Sequence, residues 1–179
     1  MDIFNIKLRI KQKQFEKLLN PYLNKLYRIA FSYMKDNSRA EDILQDSILI
    51  AYEKFYSLKN NDKFNSWITC ILINKCKENL RRNNIIYFEE YNNNSLNISQ
   101  SPLNQYTNID TNIDLLNYIN GLNDKYKDVI ILKYFGDYSI KEISNILEIP
   151  EGTVKSRLNF SVKKLKEIMN KEGFFYNEL

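Results

Sequence analysis

The fold of this chain is most clearly indicated by residues 138–160, which read YSIKEISNILEIPEGTVKSRLNF. Within them, Ser139-Ile140-Lys141-Glu142 has the form of a capping box, in which the Ser hydroxyl and the Glu carboxylate satisfy exposed N–H groups at a helix start. Pro150-Glu151-Gly152 then places a proline and an acid in the first turn of another helix, as helix starts prefer. The apolar contacts between these two helices come from Ile143, Leu147, Ile149, Val154 and Leu158. The stretch therefore predicts a helix-turn-helix.

The second helix of this unit, residues 151–171, holds 6 basic and 2 acidic side chains. In a helix-turn-helix this helix enters the major groove, and exposed positions near its N-terminus reach base edges. Those positions are Lys155, Ser156, Asn159 and Phe160, while Arg157, Lys163, Lys164 and Lys166 are available for phosphates. An ordinary three-helix bundle is the alternative. Because helix pattern, capping box, turn and charge agree, we favour DNA binding.

The first half of the chain predicts two further amphipathic helices. Apolar residues recur at helical spacing from Phe15 to Tyr33, where Pro21 begins or bends the helix, and Ser38-Arg39-Ala40-Glu41 fits a capping box that starts a helix ending near Leu58. One face of the second helix is an acidic stripe with an apolar centre, made of Asp42, Gln45, Asp46, Leu49 and Glu53. Most such stripes are solvated faces, but the embedded leucine slightly favours a surface for a basic partner helix.

A third helix is predicted from Lys63-Phe64-Asn65-Ser66-Trp67 to about Arg82. Its polar face carries Asn74, Lys77 and Arg81, with the tryptophan nearby at the helix start. This mixture suits phosphate contacts combined with stacking of unpaired bases. A buried tryptophan is an equally good interpretation of Trp67.

Composition narrows the function classes. The 179 residues include no His, so the usual general base near neutral pH, the Ser-His and Cys-His pairs and most zinc sites are excluded; we expect neither an enzyme nor a metal or other cofactor. The low Gly and Pro content, 4 and 3 residues, favours an all-α fold. Cys70 and Cys76 fit reduced core thiols. No signal peptide or apolar run of about 20 residues is present, so a cytoplasmic location is expected.

Charge and composition divide the chain into three parts. Residues 1–82 carry a net charge of +7, residues 83–112 carry −3 and residues 113–179 are neutral, which gives +4 in total. The middle part has no Lys or Arg, is rich in Asn and lacks a sustained helical or strand period. We therefore predict two small helical domains joined by a flexible linker, with the helix-turn-helix in the C-terminal domain.

From about Phe15 to Lys171 the chain resembles the bacterial RNA polymerase sigma factors of the extracytoplasmic-function group. The resemblance rests on Arg39-Ala40-Glu41-Asp42-Ile43-Leu44-Gln45-Asp46, on Phe64-Asn65-Ser66-Trp67-Ile68 with Ile71, Asn74 and Arg81-Arg82, and on two stretches of the second domain. These are Tyr138-Ser139-Ile140-Lys141-Glu142-Ile143 and Pro150-Glu151-Gly152-Thr153-Val154-Lys155-Ser156-Arg157-Leu158. It implies sigma region 2 in residues 1–82 and sigma region 4 in residues 113–179.

The resemblance also implies partners for each surface. The acidic stripe would dock on the clamp helices of the polymerase β′ subunit, and the second domain would meet the β flap. Single-stranded minus-ten DNA would be bound by Lys63, Phe64, Asn65, Trp67, Asn74, Lys77 and Arg81. The minus-thirty-five element would be bound by Thr153, Lys155, Ser156, Arg157, Asn159, Phe160, Lys163 and Lys164. An anti-sigma factor, often membrane-anchored, would be a further partner and would hold the protein at the inner face of the membrane.

The sequence departs from the family pattern at Asn159-Phe160-Ser161, where an Arg-Ala pair commonly follows the first residue. Loss of that arginine removes a candidate phosphate or guanine contact and leaves the promoter sequence open. The leading hypothesis is an alternative sigma factor without catalytic residues of its own. The alternative is a free-standing helix-turn-helix regulator, which normally needs a dimer to span two half-sites. No heptad seam for such a dimer is visible in the sequence.

Overall fold

The computed structural model describes residues 3–93 and 111–171. These residues form eight α-helices and no strand, which confirms the all-α prediction. The helices are α1 (Ile3–Leu19), α2 (Leu23–Met34), α3 (Asn37–Glu53), α4 (Phe64–Asn93), α5 (Thr111–Asn120), α6 (Asp124–Ile130), α7 (Ile140–Leu147) and α8 (Glu151–Lys171). A π-helical segment, Ile131–Phe135, continues α6, and short 3-10 turns precede α2, follow α3 and precede α4.

The helix predicted from Phe15 to Tyr33 is two helices in the structure. A 3-10 turn, Asn20–Tyr22, separates α1 from α2 and contains Pro21, which cannot donate a backbone hydrogen bond within a continuous helix. The second helix ends at Met34 because Lys35 adopts the left-handed conformation with φ 57°, and the Lys35 N–H donates to the Phe31 carbonyl at 2.8 Å.

The capping residue at the start of α3 lies two positions earlier than the sequence predicts. The N-cap is Asp36, whose carboxylate accepts from the Arg39 N–H at 2.8 Å, so the predicted Ser38-to-Glu41 capping box is wrong. Asp is as good an N-cap as Ser, and the earlier of the two residues has the extended backbone that the position needs.

Aromatic packing closes the first domain. Phe15 from α1 meets Tyr52, Phe55 and Phe64 edge to face, with ring centroids 5.4 to 5.6 Å apart. Such pairs contribute about 0.5–1.5 kcal/mol each beyond their area burial. Around them lie the fully buried side chains of α2 and α4, including Leu26, Ile29, Ile68 and Leu72. Cys76 is buried in this core and Cys70 is half-buried.

The fourth helix continues past the end expected for the third predicted helix. Sequence analysis placed that end near Arg82, whereas α4 runs to Asn93. The Asn-rich composition of residues 83–93 lowers helix propensity but does not forbid helix, because no Pro or Gly interrupts it. The rest of the predicted linker, up to α5, lies outside the described residues.

The second domain turns sharply between the π-helical segment and α7. A Cβ on Gly136 would lie 2.7 Å from the Tyr138 ring and 2.8 Å from the Leu132 carbonyl, so only glycine fits. Asp137 follows with φ 50°, and Tyr138 then enters the core with no exposed surface. The turn therefore fixes where Tyr138 lies.

Helices α7 and α8 form the predicted helix-turn-helix. The capping box of Ser139 and Glu142 is present in full, which confirms that prediction. Glu148 ends α7 in the left-handed conformation with φ 54°, and the Ser144 hydroxyl donates to the Ile149 carbonyl at 2.5 Å. Val154 and Leu158 of α8 are buried against the rest of the domain.

The two helical domains pack directly on each other. The π-helical segment contacts α2, and α7 contacts α4, so the buried side chains of both domains form one continuous core. Polar bonds cross the same boundary, among them Arg28 to Asp137 at 2.8 Å and the Asn120 amide to the Ser32 carbonyl at 2.8 Å. The docked arrangement decides which predicted site residues face solvent.

Candidate protein and nucleic-acid interfaces

The acidic stripe on α3 faces solvent along its whole length. All five predicted residues are exposed, and Leu49 exposes 57% of its surface. The opposite face of the helix holds the buried residues Ala40, Ile43, Ser47 and Ala51, which explains why the stripe points outward. Three carboxylates around one exposed leucine make a surface suited to a basic, partly apolar partner.

Intramolecular pairing uses little of this stripe. Asp46 lies 3.4 Å from the Lys75 ammonium group. Within the described residues, the side chains of Asp42, Gln45 and Glu53 form no hydrogen bond or ion pair. Because the Asp46 side chain is 57% exposed, its pair with the half-buried Lys75 contributes little to stability, so the stripe remains available to a partner.

The segment Lys63–Trp67 is part surface and part core. Lys63 is exposed, whereas Phe64 exposes only 1% and belongs to the aromatic core. Trp67 is half-buried, with its ring centroid 6.0 Å from that of Phe64. The structure therefore brings Phe64 beneath Trp67 rather than to the surface, which the sequence pattern did not distinguish.

Asn65 is engaged by the second domain. Its side-chain oxygen accepts from the Tyr138 hydroxyl at 2.6 Å, and the Thr69 hydroxyl lies 2.7 Å from the same phenol oxygen. Because the phenol proton goes to Asn65, Thr69 is the donor in the second bond. Burial raises the pKa of Tyr138 to about 12, although the Thr69 bond opposes the shift. This buried group of three is called the Tyr138 network below.

Lys77 is also engaged by the second domain. Its ammonium group donates to Asp128 at 2.5 Å, and the Tyr33 hydroxyl donates to the other carboxylate oxygen at 2.6 Å. Asp128 exposes only 4% of its surface. Burial raises the pKa of Tyr33 well above its ordinary value, and the neighbouring Asp128 charge adds to the shift. These three residues are called the Asp128 network below.

The remaining predicted residues of α4 are exposed. Asn74 donates to the Cys70 sulfur at 3.6 Å, and Arg81 lies at the mouth of a cavity of about 410 Å³. That cavity is lined by cations of both domains, including Lys35, Arg39 and Lys127. Burial lowers the pKa of Lys35, and the nearby Lys127 and Arg39 charges lower it further.

A second cleft lies between the predicted minus-ten segment and α7. Its volume is about 570 Å³, and its lining includes Lys63, Asn65 and Trp67 from the first domain. The second domain contributes Glu142 and Glu148 to the same cleft. These carboxylates lower the electrostatic potential where an anionic nucleic acid would enter. The docked arrangement therefore disfavours DNA in this cleft.

The outward face of α8 carries the predicted base-reading residues together. Lys155, Ser156, Asn159 and Phe160 are all exposed, and the buried face of the helix is formed by Val154, Leu158, Ser161 and Leu165. Among the residues predicted for phosphates, Lys163, Lys164 and Lys166 are exposed and Arg157 is half-buried, as is Thr153. Within the described residues, Lys155, Asn159 and Lys163 have no side-chain partner. The outward face of α8 is therefore available to hydrogen-bond acceptors of a partner molecule.

Sequence reasoning missed the residues that join the two domains. The Asp128 and Tyr138 networks and the Arg28–Asp137 pair connect residues 51 to 109 positions apart in the sequence. One local signal exists for Asp128, which directly precedes the apolar run 129–132. A charged residue at such a position is usually buried with a partner, but the sequence does not say which partner.

No metal or membrane-spanning feature is found in the part of the chain that the structure describes. Residues 3–93 and 111–171 contain no cluster of three or more His, Cys, Asp or Glu side chains that could hold a metal ion. None of their helices combines the length and the apolar character needed to cross a bilayer.

Comparison with known proteins gives two family matches in order along the chain. Residues 18–85 match the family described as sigma-70 region 2, and residues 113–165 match sigma-70, region 4. RNA polymerase sigma factor SigV of Bacillus subtilis is 30% identical over 170 residues, which cover 91% of this chain and 98% of the relative. ECF RNA polymerase sigma factor SigW of the same organism is 29% identical over 178 residues, which cover 90% and 95%.

A solved structure shares the fold. It is the sigma factor RpoE in complex with the anti-sigma factor NepR from Bartonella quintana, with a TM-score of 0.68 and 24% identity. The match covers 88% of this chain and 98% of that one, so both helical domains are included.

Proposed function

The chain belongs to the sigma-70 family of bacterial RNA polymerase sigma factors, in its extracytoplasmic-function group, and we propose how its exposed surfaces divide the work of a sigma factor. As an alternative sigma factor it directs promoter-specific initiation, for which it binds core RNA polymerase and promoter DNA. The region 2 match favours a sigma factor over the alternative, a free-standing helix-turn-helix regulator. Sigma factors are transcription factors rather than enzymes.

The α3 stripe docks on core polymerase, in a basic helical surface of the β′ clamp. Support comes from its exposure, from the carboxylates of Asp42, Asp46 and Glu53, and from Leu49 at its centre. The carboxylates attract and orient the partner, while the leucine supplies apolar area that is lost from water on docking. The β flap is assigned to the second domain by family resemblance alone.

The minus-ten element is bound by the exposed residues of the first domain. Trp67 offers a half-exposed ring for base stacking, Lys63 and Arg81 are free to approach the strand, and the exposed Asn74 has only its bond to the Cys70 sulfur to give up. Stacking on an aromatic ring contributes about 1–3 kcal/mol per base, which helps to offset the cost of unstacking it from the duplex. Phe64 supports the tryptophan from below rather than touching DNA, since it is buried.

Binding at the minus-ten element requires the two domains to separate. Asn65 and Lys77 cannot contact DNA while they are bonded to Tyr138 and Asp128. The cleft next to Trp67 also contains Glu142 and Glu148 of the second domain. Polymerase binding supplies the free energy for separation, because its two contact sites on sigma hold the domains apart. The docked arrangement is then the free form.

The minus-thirty-five element is bound by the outward face of α8. Lys155, Ser156, Asn159 and Phe160 face base edges, and the lysines farther along the helix contact phosphates. The chain without polymerase should bind duplex DNA weakly and with a strong dependence on salt, because in the docked arrangement only the second domain presents its DNA-binding face.

The observation that carries the proposal is the pair of region 2 and region 4 matches, with an acidic docking face on the first region and a basic reading helix on the second. The test is run-off transcription on genomic fragments with core polymerase, with and without the chain. We expect start sites that depend on the chain. Absence of such initiation on every fragment would contradict the proposal.

The reactivity of Cys70 can be used to detect separation of the two domains. This thiol lines the cleft between the minus-ten segment and α7, together with Ile146 of α7 and Glu148 at its C-cap, and burial and the Glu148 charge raise its pKa. Separation removes both causes, so we expect core polymerase to increase the rate of Cys70 alkylation, measured peptide by peptide with mass spectrometry. Cys76, buried within the first domain, is the internal control. An unchanged Cys70 rate would contradict separation.

An anti-sigma partner is a further part of the proposal. The solved sigma factor with the same fold was captured with the anti-sigma factor NepR. For the present chain, we expect a partner of this class to keep it from polymerase in the cytoplasm or at the inner face of the membrane. Affinity purification of the tagged chain from unstressed cells should recover such a protein; recovery of polymerase alone would contradict it.

A further inference from the structure

Phe160 is an unusual side chain on the outward face of α8. It exposes 48% of its surface beside the exposed polar residues Ser156 and Asn159. In the family that the chain resembles, arginine is common at this position. A large apolar side chain on a face that otherwise carries lysines and amides calls for a partner that covers it.

The ring of Phe160 is held in place by the neighbouring helix. It stacks on Tyr126 of α6 with centroids 4.3 Å apart and an interplanar angle of 26°. The two helices are in close contact at the same point, where the Ser161 hydroxyl donates to the Arg157 carbonyl of its own helix at 2.6 Å and lies 3.2 Å from the Tyr126 carbonyl. The stack covers one face of the phenylalanine ring and leaves the rest of the ring open to solvent.

The chemistry of a phenyl ring restricts what it can recognise in a major groove. It has no donor for guanine or for a phosphate, which are the acceptors that arginine would take. Among the groups that base pairs present in the major groove, the 5-methyl group of thymine is the apolar one. Phenylalanine can therefore contact the methyl group of thymine, but it cannot form a hydrogen bond to any base.

We propose that Phe160 reads a thymine methyl group in the minus-thirty-five element, with Tyr126 as its positioning residue. The inference rests on the proposed function, because it assumes that α8 faces that element. It makes the promoter preference of this sigma factor differ at one base pair from that of relatives with arginine. Lys155, Ser156 and Asn159 read their own base pairs by hydrogen bonds and are not affected.

The test replaces single thymines by uracil, which removes the methyl group and keeps the hydrogen-bonding edge. Promoters are first mapped with the chain and core polymerase on genomic fragments. Holoenzyme binding to each substituted promoter is then measured by competition. We expect about fourfold weaker binding for uracil at one minus-thirty-five position, the effect of burying one methyl group, and no change at the others.

Variants of the chain separate base reading from packing. Phe160→Ala should bind thymine and uracil templates equally, and Phe160→Leu should keep part of the discrimination. Phe160→Arg should lose it and bind better when guanine occupies that position. Tyr134→Ala removes another exposed aromatic ring of the same domain and should discriminate like the wild type. Thermal melts establish that each variant is folded.

Three results would overturn the inference. Equal binding of thymine and uracil templates at every position by the wild-type holoenzyme would make Phe160 a packing residue only. Mapped promoters without a thymine in the minus-thirty-five element would do the same. Both results leave the proposed function standing, since initiation is observed. Absence of initiation on all templates would instead remove the proposed function and this inference with it.

Discussion

The boundary between the two domains and the outward faces of α3 and α8 use polar residues in opposite ways. At the boundary, Asp128 and Tyr138 are almost fully buried and each has two partners from the first domain. On the outward faces, most charged and amide side chains point into solvent, and the exposed apolar residues Leu49 and Phe160 lie among them.

This difference separates what the fold uses for itself from what it leaves for partners. A satisfied buried group contributes to stability and is unavailable to a ligand. An exposed group without an internal partner contributes little to stability and is free to bind. Asn65 and Lys77 fall on the boundary side although the family resemblance assigns them to DNA, so the proposed minus-ten contacts of these two residues require the domains to separate.

The largest effect is expected from reversing a charge on the outward face of α3. Asp46→Lys should weaken binding to core polymerase at least about 100-fold, because like charges then meet at the docking surface. The melting temperature should hardly change, since Asp46 is exposed and has a single ion pair, to the half-buried Lys75. Glu16→Lys makes the same charge change at an exposed position of α1, outside the stripe, and is the control. Equal affinity of both variants for polymerase would remove the docking assignment.

A substitution at the domain boundary should mainly lower the stability of the fold. Asp128→Asn leaves Lys77 without its carboxylate and should lower the free energy of unfolding by about 2 kcal/mol, as for other lost bonds to charged groups. Asp137→Asn also removes a carboxylate at the boundary, but its pair with Arg28 is exposed, so we expect a loss below about 0.5 kcal/mol. Urea titration measures both. Equal losses would mean that burial does not distinguish the boundary networks.

A neutral residue on α8 should affect one base pair. Asn159→Ala should cost about 1–3 kcal/mol of binding free energy at a single minus-thirty-five position and relax the preference there. Competition among all single-base variants of the promoter measures this change with holoenzyme. If the loss is the same for every promoter variant, Asn159 positions the helix on the backbone and does not read a base.

The smallest effect is expected for the Tyr138 hydroxyl, and it depends on pH. Burial raises the pKa of this phenol from 10.0 to about 12, so folding favours its protonated form. The resulting stability is fully present below pH 10 and is lost as pH rises toward 12. Tyr33 acts in the same direction.

Tyr138→Phe should therefore cost about 1 kcal/mol at pH 7 through its lost hydrogen bonds and should flatten the fall of melting temperature above pH 10. Tyr56→Phe removes an exposed hydroxyl and should change neither quantity. Melting curves from pH 7 to 11 suffice. If the melting temperature of Tyr138→Phe falls above pH 10 as steeply as that of the wild type, ionisation of this phenol is not linked to stability.

Much of the fold could be predicted because its signals are local. The capping box of Ser139 and Glu142 and the turn at Pro150 depend on neighbours within a few residues, and both helices of the helix-turn-helix begin where expected. The Asp36 cap was missed because two capping residues lie within three positions and backbone conformation chooses between them. Phe64 was assigned to DNA, whereas packing against Phe15 places it in the core.

The sequence by itself determined the helical class, the helix-turn-helix and the outward stripes on α3 and α8, since helical periodicity puts those side chains on one face whatever the rest of the chain does. Only the tertiary structure decided that Lys77 bonds Asp128 and that Tyr138 reaches Asn65. Those contacts depend on how two distant helical surfaces fit together, and no local pattern records that fit. Within the second domain, the packing of α6 on α8 stacks Phe160 on Tyr126 and so orients the residue that departs from the family pattern.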